Sequence, residues 1–236
     1  MQPYFFPYLG YFSLIHSIHN WIVFDISQYT RKTWINRNKL LHPSNKWQYI
    51  SIPLEHSTLS MRICDARIRC VEEVKLSLLG KLSAYKKVAP YYQDVVNIVS
   101  LVFDRVSSNS LVELNVSSIK VICEYLGINF NYRLCSELSI DIPGKMNAGD
   151  WAPLICKHVN ATSYVNPISG SHLFNKNDFL RNNIELNYLE FTPEQYYQND
   201  ILSSETLSTL DVLLWNSKSE ILDMIERCSK LIEINE

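Results

Sequence analysis

Residues 2–12 read Gln2-Pro3-Tyr4-Phe5-Phe6-Pro7-Tyr8-Leu9-Gly10-Tyr11-Phe12, an aromatic run with two prolines and one glycine but no charge. A core strand would avoid the prolines because each lacks a backbone donor, and prolines at this spacing do not begin a helix. The run therefore predicts a rigid aromatic loop that enters a helix near Leu9. Such a loop could form one wall of a binding site or a hydrophobic cover over the core.

The length and composition of the chain fit a globular protein. Its 236 residues suffice for one large domain or two small ones, and we expect one domain over residues 1–236 with a possible helical subdomain at 71–127. The net charge of -2 creates no field that would attract nucleic acid, so no DNA partner is expected. No apolar run is long enough to span a bilayer and no signal peptide pattern is found, which predicts a cytoplasmic location.

The cysteine and glycine patterns argue against metal, disulfide and nucleotide-loop chemistry. None of the six cysteines forms a C-x-x-C pair or lies near a histidine at zinc-ligand spacing, so they are expected to be reduced, with no metal bound. Gly-rich phosphate loops of the NTPase and Rossmann kinds are absent from the sequence. We therefore expect no permanently bound cofactor.

The periodicity of apolar residues predicts an α/β protein. Its fold class is a mixed, largely parallel sheet flanked by helices, with a helical insertion or subdomain in the middle of the chain. The predicted strands cover residues 21–24, 47–54, 62–70, 128–134, 163–166 and 184–191. The predicted helices cover residues 9–18, 71–87, 91–106, 111–126, 150–158, 178–182, 207–216 and 221–232.

A polar, basic and aromatic segment follows the first predicted strand, from Asp25 to Asn38. Ligands of open α/β sheets bind at the carboxyl ends of strands, so this segment is a candidate site. Arg37, helped by Arg31 and Lys32, could hold a phosphate or carboxylate. Asn36 and Asn38 could bond to a sugar or base edge, and Tyr29 and Trp34 offer flat faces for stacking. The alternative is a solvated loop whose cations face water.

A second candidate is the turn Pro167-Ile168-Ser169-Gly170-Ser171-His172. Backbone amides near Ser169 and Gly170 could bind an anion or an oxyanion. His172 could act as a general base with little tuning of its pKa. The alternative is an ordinary turn with a surface histidine.

The chain resembles the WbqC-like protein family in the runs QPYFFPYLGYF, FDISQYTRKTWINRN and SIPL. Weaker matches follow in the same order. They are Ala89–Tyr92, Cys123–Gly127, Ser136-Glu137, Leu154–Lys157, Ile168–Gly170, Tyr197-Gln198 and Leu207–Asn216. The resemblance implies a bacterial protein of lipopolysaccharide O-antigen or other surface-polysaccharide biosynthesis. It also implies transfer of an acyl or aminoacyl group, such as glycyl, to an amino sugar.

Two features depart from the family pattern. Relatives commonly begin with a short apolar strand before the Gln-Pro, whereas here Met1 stands directly on the motif. We expect a trimmed or mis-assigned start rather than a lost strand, because a lost strand would expose unpaired backbone. Relatives often carry two acidic residues where this chain has Asp25-Ile26, so a two-metal site is not expected.

The sequence thus favours an N-acyl or aminoacyl (for example glycyl) transferase that acts on a nucleotide-linked amino sugar in O-antigen or capsule biosynthesis. The donor would be a coenzyme A thioester, an acyl carrier protein or an aminoacyl-tRNA. His172 or Asp25 would be the base. The expected substrate-binding residues are Gln2, Tyr4, Tyr8, Gln28, Lys32, Trp34, Asn36, Arg37, Asn38, Ser169 and Gly170. The alternatives are a non-catalytic sugar-nucleotide-binding or scaffolding protein and a metal-independent glycosyltransferase.

Overall fold

The structure is a computed structural model that describes residues 1–42, 45–58, 60–196, 198 and 206–233. Its helices are α1 (Leu9–His16), α2 (Val71–Leu82), α3 (Tyr92–Asp104), α4 (Leu111–Leu126), α5 (Trp151–His158), α6 (Lys176–Leu180), α7 (Thr209–Trp215) and α8 (Lys218–Arg227). Its strands are β1 (Trp21–Val23), β2 (Arg37–His42), β3 (Asn45–Ser51), β4 (Tyr132–Leu134), β5 (Ser163–Pro167), β6 (Glu185–Phe191) and β7 (Ser229–Glu233). Tyr197, part of one matched motif, lies outside the described residues.

Helices and strands are mixed along the chain, as predicted, but the described strands form three small sheets rather than one largely parallel sheet. β1 and β4 pair in parallel, with Trp21 opposite Tyr132. β2 and β3 form an antiparallel hairpin. In the third sheet, β6 lies between β5, to which it is parallel, and β7, to which it is antiparallel. The backbone of Met1 also bonds to β1, at Ile22 O and Phe24 N.

The helices of the middle of the chain share the main hydrophobic core. α4 begins where the Ser110 hydroxyl accepts the Glu113 N–H, and it ends at Gly127, whose φ of 76° is one that glycine adopts without strain. Twelve of the sixteen residues of α4 are buried, and they pack in one cluster with Phe5, Phe12 and other residues of the N-terminal segment. We therefore find no separate core for residues 71–127 within the described chain.

Three stretches differ from the predicted elements. Residues 62–70 form a short 3-10 turn, Ile63–Asp65, with isolated bridges rather than a strand. Arg37 and Asn38, the end of the segment expected to bind ligand, begin β2, which continues to His42. The final helix stops at Arg227 and the chain continues as β7, which pairs with β6. No described helix has the length and apolarity needed to cross a membrane.

Candidate functional site

The N-terminal loop, residues 2–7, is held by side chains that donate to its carbonyls. Its prolines have no N–H to offer a strand, so the loop carbonyls need other partners. The donors come from α1, β2, α4 and the start of α7. Tyr11 OH donates to Gln2 O, Asn115 Nδ2 to Pro3 O, Asn38 Nδ2 to Phe5 O and Phe6 O, Ser208 Oγ to Phe6 O, and Thr209 N to Pro7 O, at 2.7 to 3.0 Å.

One residue of this loop has unusual backbone geometry. Phe6 has a φ of 42° although it is a fully buried aromatic residue. A bulky residue in the left-handed region is strained by about 1 to 3 kcal/mol. The two hydrogen bonds that its carbonyl accepts from Asn38 and Ser208, together with the burial of its ring, hold this conformation. The loop is therefore rigid, and the residues on either side of Phe6 have fixed positions.

A pocket of about 420 Å³ opens beside this loop. Tyr4 and Tyr8 form the loop wall, and Trp34 and Asn38 form a second wall. A third wall comes from the end of β5 and the turn after it, through Ser169. The remaining lining residues are Pro7, Gly10, Leu14, Pro167, Ile168, Leu189, Phe191, Pro193 and Thr206. The structure thus brings parts of three sequence segments, each with predicted binding residues, to one cavity.

The lining of this first pocket is neutral and aromatic. None of the described lining residues is a carboxylate, an imidazole or a cation. Burial raises the pKa of Tyr4 and of Tyr8, so both phenols stay protonated at neutral pH and can donate and accept hydrogen bonds. Trp34 is 40% exposed and supplies an accessible ring face. A pocket of this kind suits an uncharged ring with hydroxyl groups.

Neighbouring predicted residues of β2 face opposite ways. Asn38 lines the pocket, while Arg37 lies on the other face of the strand because side chains alternate. The Arg37 guanidinium stacks on the Tyr49 ring at 4.2 Å, and the Lys39 ammonium lies 4.3 Å from the centre of the Trp47 ring. Arg37 is therefore placed apart from the ligand groups that Asn38 and Trp34 would contact.

Asp25, predicted as a candidate base, lies at the end of β1 and is 1% exposed. Its carboxylate oxygens accept hydrogen bonds from the backbone N–H and the hydroxyl of Ser136, at 2.9 and 2.5 Å. Asp25 is absent from the described pocket lining. These contacts tie the end of β1 to the turn after β4.

His172, the other predicted base, is exposed on the 3-10 helix Ile168–Leu173. It is not a lining residue, but Ser169 is. Side chains three residues apart eclipse on a 3-10 helix, so His172 lies on the same face as Ser169, one turn further along. Gly170 packs tightly, because a Cβ there would lie 2.5 Å from Asn166 Nδ2. The assignment of His172 to catalysis stays a prediction.

The other predicted binding residues also lie outside the described lining of the first pocket. Gln2 donates through its amide to Ser27 Oγ at 2.9 Å. Gln28 and Lys32 are exposed, and Lys32 has a left-handed φ of 59°. Asn36 donates to Ile52 O at 3.2 Å. Their roles stay predictions.

A second pocket, of about 250 Å³, adjoins the first. Both are lined by Tyr8, Phe191, Pro193 and Thr206, and the Tyr8 and Phe191 rings meet edge to face with centroids 6.2 Å apart. The second pocket is otherwise lined by Leu9, Glu194, Gln195, Tyr196, Gln198, Leu207, Val212, Met224 and Cys228. The two pockets therefore lie side by side, with the Tyr8–Phe191 pair lining both, and we refer to them together as the cleft.

Behind the second pocket lies a fully buried carboxylate that the sequence reasoning did not single out. Asp211 accepts hydrogen bonds from Tyr196 OH at 2.9 Å, Leu41 N at 2.7 Å and the Gln198 amide. Burial raises the pKa of Asp211 to about 6, although these three donors act against the shift. The signal in the sequence was an acidic residue inside the apolar run Leu210–Leu214, since such residues are rarely buried without partners.

The part of the chain that the structure describes contains no evident set of metal ligands. No group of three or more His, Cys, Asp or Glu side chains lies close enough together to hold an ion. The described cysteines are all free thiols. Burial is the main cause that raises the pKa of Cys123, of Cys135 and of Cys156, so these thiols are poor nucleophiles.

The fold and the cleft define a mixed α/β protein with a neutral, aromatic-walled pocket built on its N-terminal loop. The model of the WbqC-like protein family matches residues 2–222, so the chain belongs to that family. It is also similar to Uncharacterized protein Rv1507c of Mycobacterium tuberculosis. The two are 24% identical over 230 residues, which cover 97% of this chain and 96% of the relative. No solved structure matches the chain significantly.

Proposed function

We propose that the protein transfers an acyl or aminoacyl group to the amine of a nucleotide-linked amino sugar, in the surface-polysaccharide pathway that the family resemblance implies. The observation that supports this most is the first pocket, whose aromatic rings and neutral hydroxyl groups suit a sugar ring. Sugars present apolar C–H faces that stack on aromatic rings, and their hydroxyls pair with groups such as Tyr4 OH and Ser169 Oγ.

In this proposal the sugar ring stacks on Trp34 and bonds to Tyr4, Tyr8 and Ser169. The diphosphate lies outside the cavity, because the described lining holds no cation. We assign it to Lys32, which is exposed and lies two residues before Trp34. The nucleotide base would then lie at the rim of the first pocket, where its flat face could still stack on an aromatic ring.

The acyl donor in this proposal is a thioester or an aminoacyl ester. The amine nitrogen attacks the acyl carbonyl carbon, so that a C–N bond forms and the C–S or C–O bond to the carrier breaks. Amide formation requires a neutral amine and an acceptor for the proton it loses. Backbone amides near Ser169 and Gly170 remain our candidates for stabilising the oxyanion.

A second candidate is a non-catalytic sugar-nucleotide-binding protein of the same pathway. The observation that favours it is that neither predicted base, Asp25 or His172, belongs to the described lining of the first pocket. A binding protein needs the aromatic walls but no proton acceptor. The two candidates make the same prediction for binding and different predictions for turnover.

The test is incubation of the protein with 3-amino- and 4-amino-deoxysugar nucleotides and a panel of coenzyme A thioesters and aminoacyl-tRNAs. Mass spectrometry reads the product, and we expect a mass gain equal to one acyl group. Trp34→Ala should weaken sugar-nucleotide binding by about tenfold or more, because it removes the stacking face. Trp47→Ala is the matched control, since Trp47 contacts Lys39 and is not a lining residue.

Two outcomes would contradict the transferase proposal. Tight sugar-nucleotide binding with no product from any donor would favour the binding protein. Equal binding by the Trp34→Ala variant and the wild type would show that the first pocket is not the sugar site.

A further inference from the structure

The described lining of the first pocket has no carboxylate or imidazole that could accept the proton of the amine. The attacking nitrogen must lose a proton as the amide forms, so a proton acceptor has to lie beside it. In the second pocket Glu194 is the acidic member of the lining, but it is ion-paired with Arg227 at 2.6 Å at the surface. Asp211 is the carboxylate directly behind this pocket. It is not a lining residue, but it accepts a hydrogen bond from Tyr196, which is one.

The hydrogen bonds of Tyr196 and Asp211 define a direction for proton movement. Tyr196 OH donates to Asp211 Oδ1 at 2.9 Å, and Leu41 N donates to Asp211 Oδ2 at 2.7 Å. The single phenolic proton of Tyr196 is therefore committed to Asp211. The Gln198 side chain also hydrogen-bonds to the Tyr196 phenol, in the sense that lowers its pKa, so one lone pair of the phenolic oxygen remains. Since Tyr196 lines the second pocket, a ligand N–H is a suitable donor for that lone pair.

The electrostatics of the pair suit transfer near neutral pH. Burial raises the pKa of Asp211 to about 6, so the carboxylate is ionised above that pH and is still a useful base. Burial and the nearby Asp211 charge raise the pKa of Tyr196, so the phenol stays protonated and passes protons on. The other titratable group shown to face Asp211 is Tyr85, whose pKa is also raised, by burial first and by Asp211 second.

The two pockets are neighbours that share part of their walls. They share Tyr8, Phe191, Pro193 and Thr206. A sugar ring stacked in the first pocket can therefore direct its amino group past the Tyr8–Phe191 pair toward Tyr196. The smaller second pocket would then hold the amine and the acyl group that it attacks.

We propose that Tyr196 and Asp211 form the proton relay of the transfer reaction, with Tyr196 in contact with the acceptor amine. This proposal rests on the proposed function. As the C–N bond forms, the amine proton passes to the Tyr196 oxygen while the Tyr196 proton passes to Asp211. The electron pair of the breaking C–S or C–O bond leaves with the carrier, which takes a proton from water. Tyr196 is the catalytic residue, and Asp211 is a positioning residue that acts through it.

The test compares Tyr196→Phe with Tyr164→Phe under single-turnover conditions with saturating donor. Both variants lose one phenolic hydrogen bond to a side-chain oxygen, but Tyr164 bonds to Asn166 and lines neither pocket. We expect Tyr196→Phe to slow transfer by about 100-fold or more, with unchanged binding of a sugar nucleotide that lacks the amino group. We expect Tyr164→Phe to transfer at the wild-type rate.

The pH profile separates a relay from a structural role. In the wild type, log kcat/KM should rise with a slope of two below about pH 6, because both the amine and Asp211 must lose a proton there. Asp211→Asn should keep a slope of one over the same range. Binding measurements report the amine contact without turnover. We compare the affinity for an amino sugar with the affinity for its deoxy counterpart, which lacks the amino group. Relative to that counterpart, the affinity for the amino sugar should fall several-fold in Tyr196→Phe.

The outcomes distinguish this proposal from the proposed function. Full transfer by Tyr196→Phe, or a slope that Asp211→Asn does not change, would overturn the relay and leave the transferase intact. Loss of transfer in His172→Asn alone would move the base to His172 and would also overturn it. If the wild type transfers nothing and Tyr196→Phe binds the amino sugar and its deoxy counterpart as the wild type does, both proposals fail.

Discussion

Asn38 offers the sharpest test of how the N-terminal loop is held. Its amide donates to Phe5 O at 3.0 Å and Phe6 O at 2.7 Å, and its oxygen accepts from Lys39 N at 2.8 Å. In Asn38→Ala, Phe6 O keeps its bond from Ser208, whereas Phe5 O and Lys39 N lose these bonds. Each buried group left unsatisfied costs about 1 to 3 kcal/mol, so we expect a loss of about 2 to 6 kcal/mol from the two groups.

The assay is equilibrium unfolding in urea, compared at equal m-values. Asn36→Ala is the matched control, two residues earlier in the chain. Among the described residues, the Asn36 side chain donates to Ile52 O at 3.2 Å, and its own oxygen already lacks a partner. It should cost no more than about 1 kcal/mol. The reasoning is refuted if Asn38→Ala loses less than the control, or if the two variants are equally destabilised.

The same variant should also change binding. Without the Asn38 amide, the strained backbone at Phe6 has lost one of its two side-chain donors and can relax. The positions of Tyr4 and Tyr8 are then less fixed, so sugar-nucleotide affinity should fall in proportion to the pre-organisation lost. Calorimetric titration in buffer without urea, at a temperature well below the unfolding transition, separates this effect from the loss of folded protein.

Three further predictions concern the cleft and its surroundings. Gly10→Ala would place a Cβ 2.4 Å from the Tyr8 ring and 2.7 Å from Phe191, so it should destabilise the fold by about 1 to 3 kcal/mol and weaken ligand binding, as read by calorimetry. Asp25→Asn should lower the free energy of unfolding by about 2 kcal/mol with the transfer rate per folded molecule unchanged; slower transfer at full stability would instead support Asp25 as the base. Because the pKa of Asp211 is raised, the stability it contributes is present below about pH 4 and is lost as pH rises through about 6. Urea unfolding should show the wild type losing about 2 kcal/mol relative to Asp211→Asn between pH 4 and pH 7.

Local signals in the sequence predicted most of the helices. α4 has the predicted bounds because Ser110 caps its start and Gly127 ends it, and both signals act over a few residues. The N-terminal loop and the helix after it were also predicted, since proline forbids the alternatives.

Pairing over long distances accounts for what the sequence did not reveal. Arg37 and Asn38, at the start of β2, were interpreted as part of a ligand-binding segment, because two adjacent polar residues hide the alternation of side chains across a strand. β7 was interpreted as helix because its partner β6 lies about forty residues earlier, and no local pattern records that pairing.

Part of the candidate site was predictable from local residue types. Tyr4, Tyr8, Trp34, Asn38 and Ser169 were predicted to bind ligand and do line one pocket, because aromatic and amide residues in loops are recognisable in sequence. The opposite wall, with Leu189, Phe191 and Thr206, consists of residue types that are ordinary in any core. Only the packing of the third sheet against the loop shows that they face the cavity.

The way residues 2–7 are held also constrains when this loop can order during synthesis. The ribosome makes the loop before its donors at Asn38, Asn115 and Ser208, which follow at increasing distances along the chain. Contacts this far apart in sequence form late, since the intervening chain must be restricted first. The strained backbone at Phe6 therefore has no full set of partners until the start of α7 leaves the ribosome. A stalled chain that ends before residue 208 should carry a protease-sensitive amino-terminal segment, and release of the longer chain should protect it.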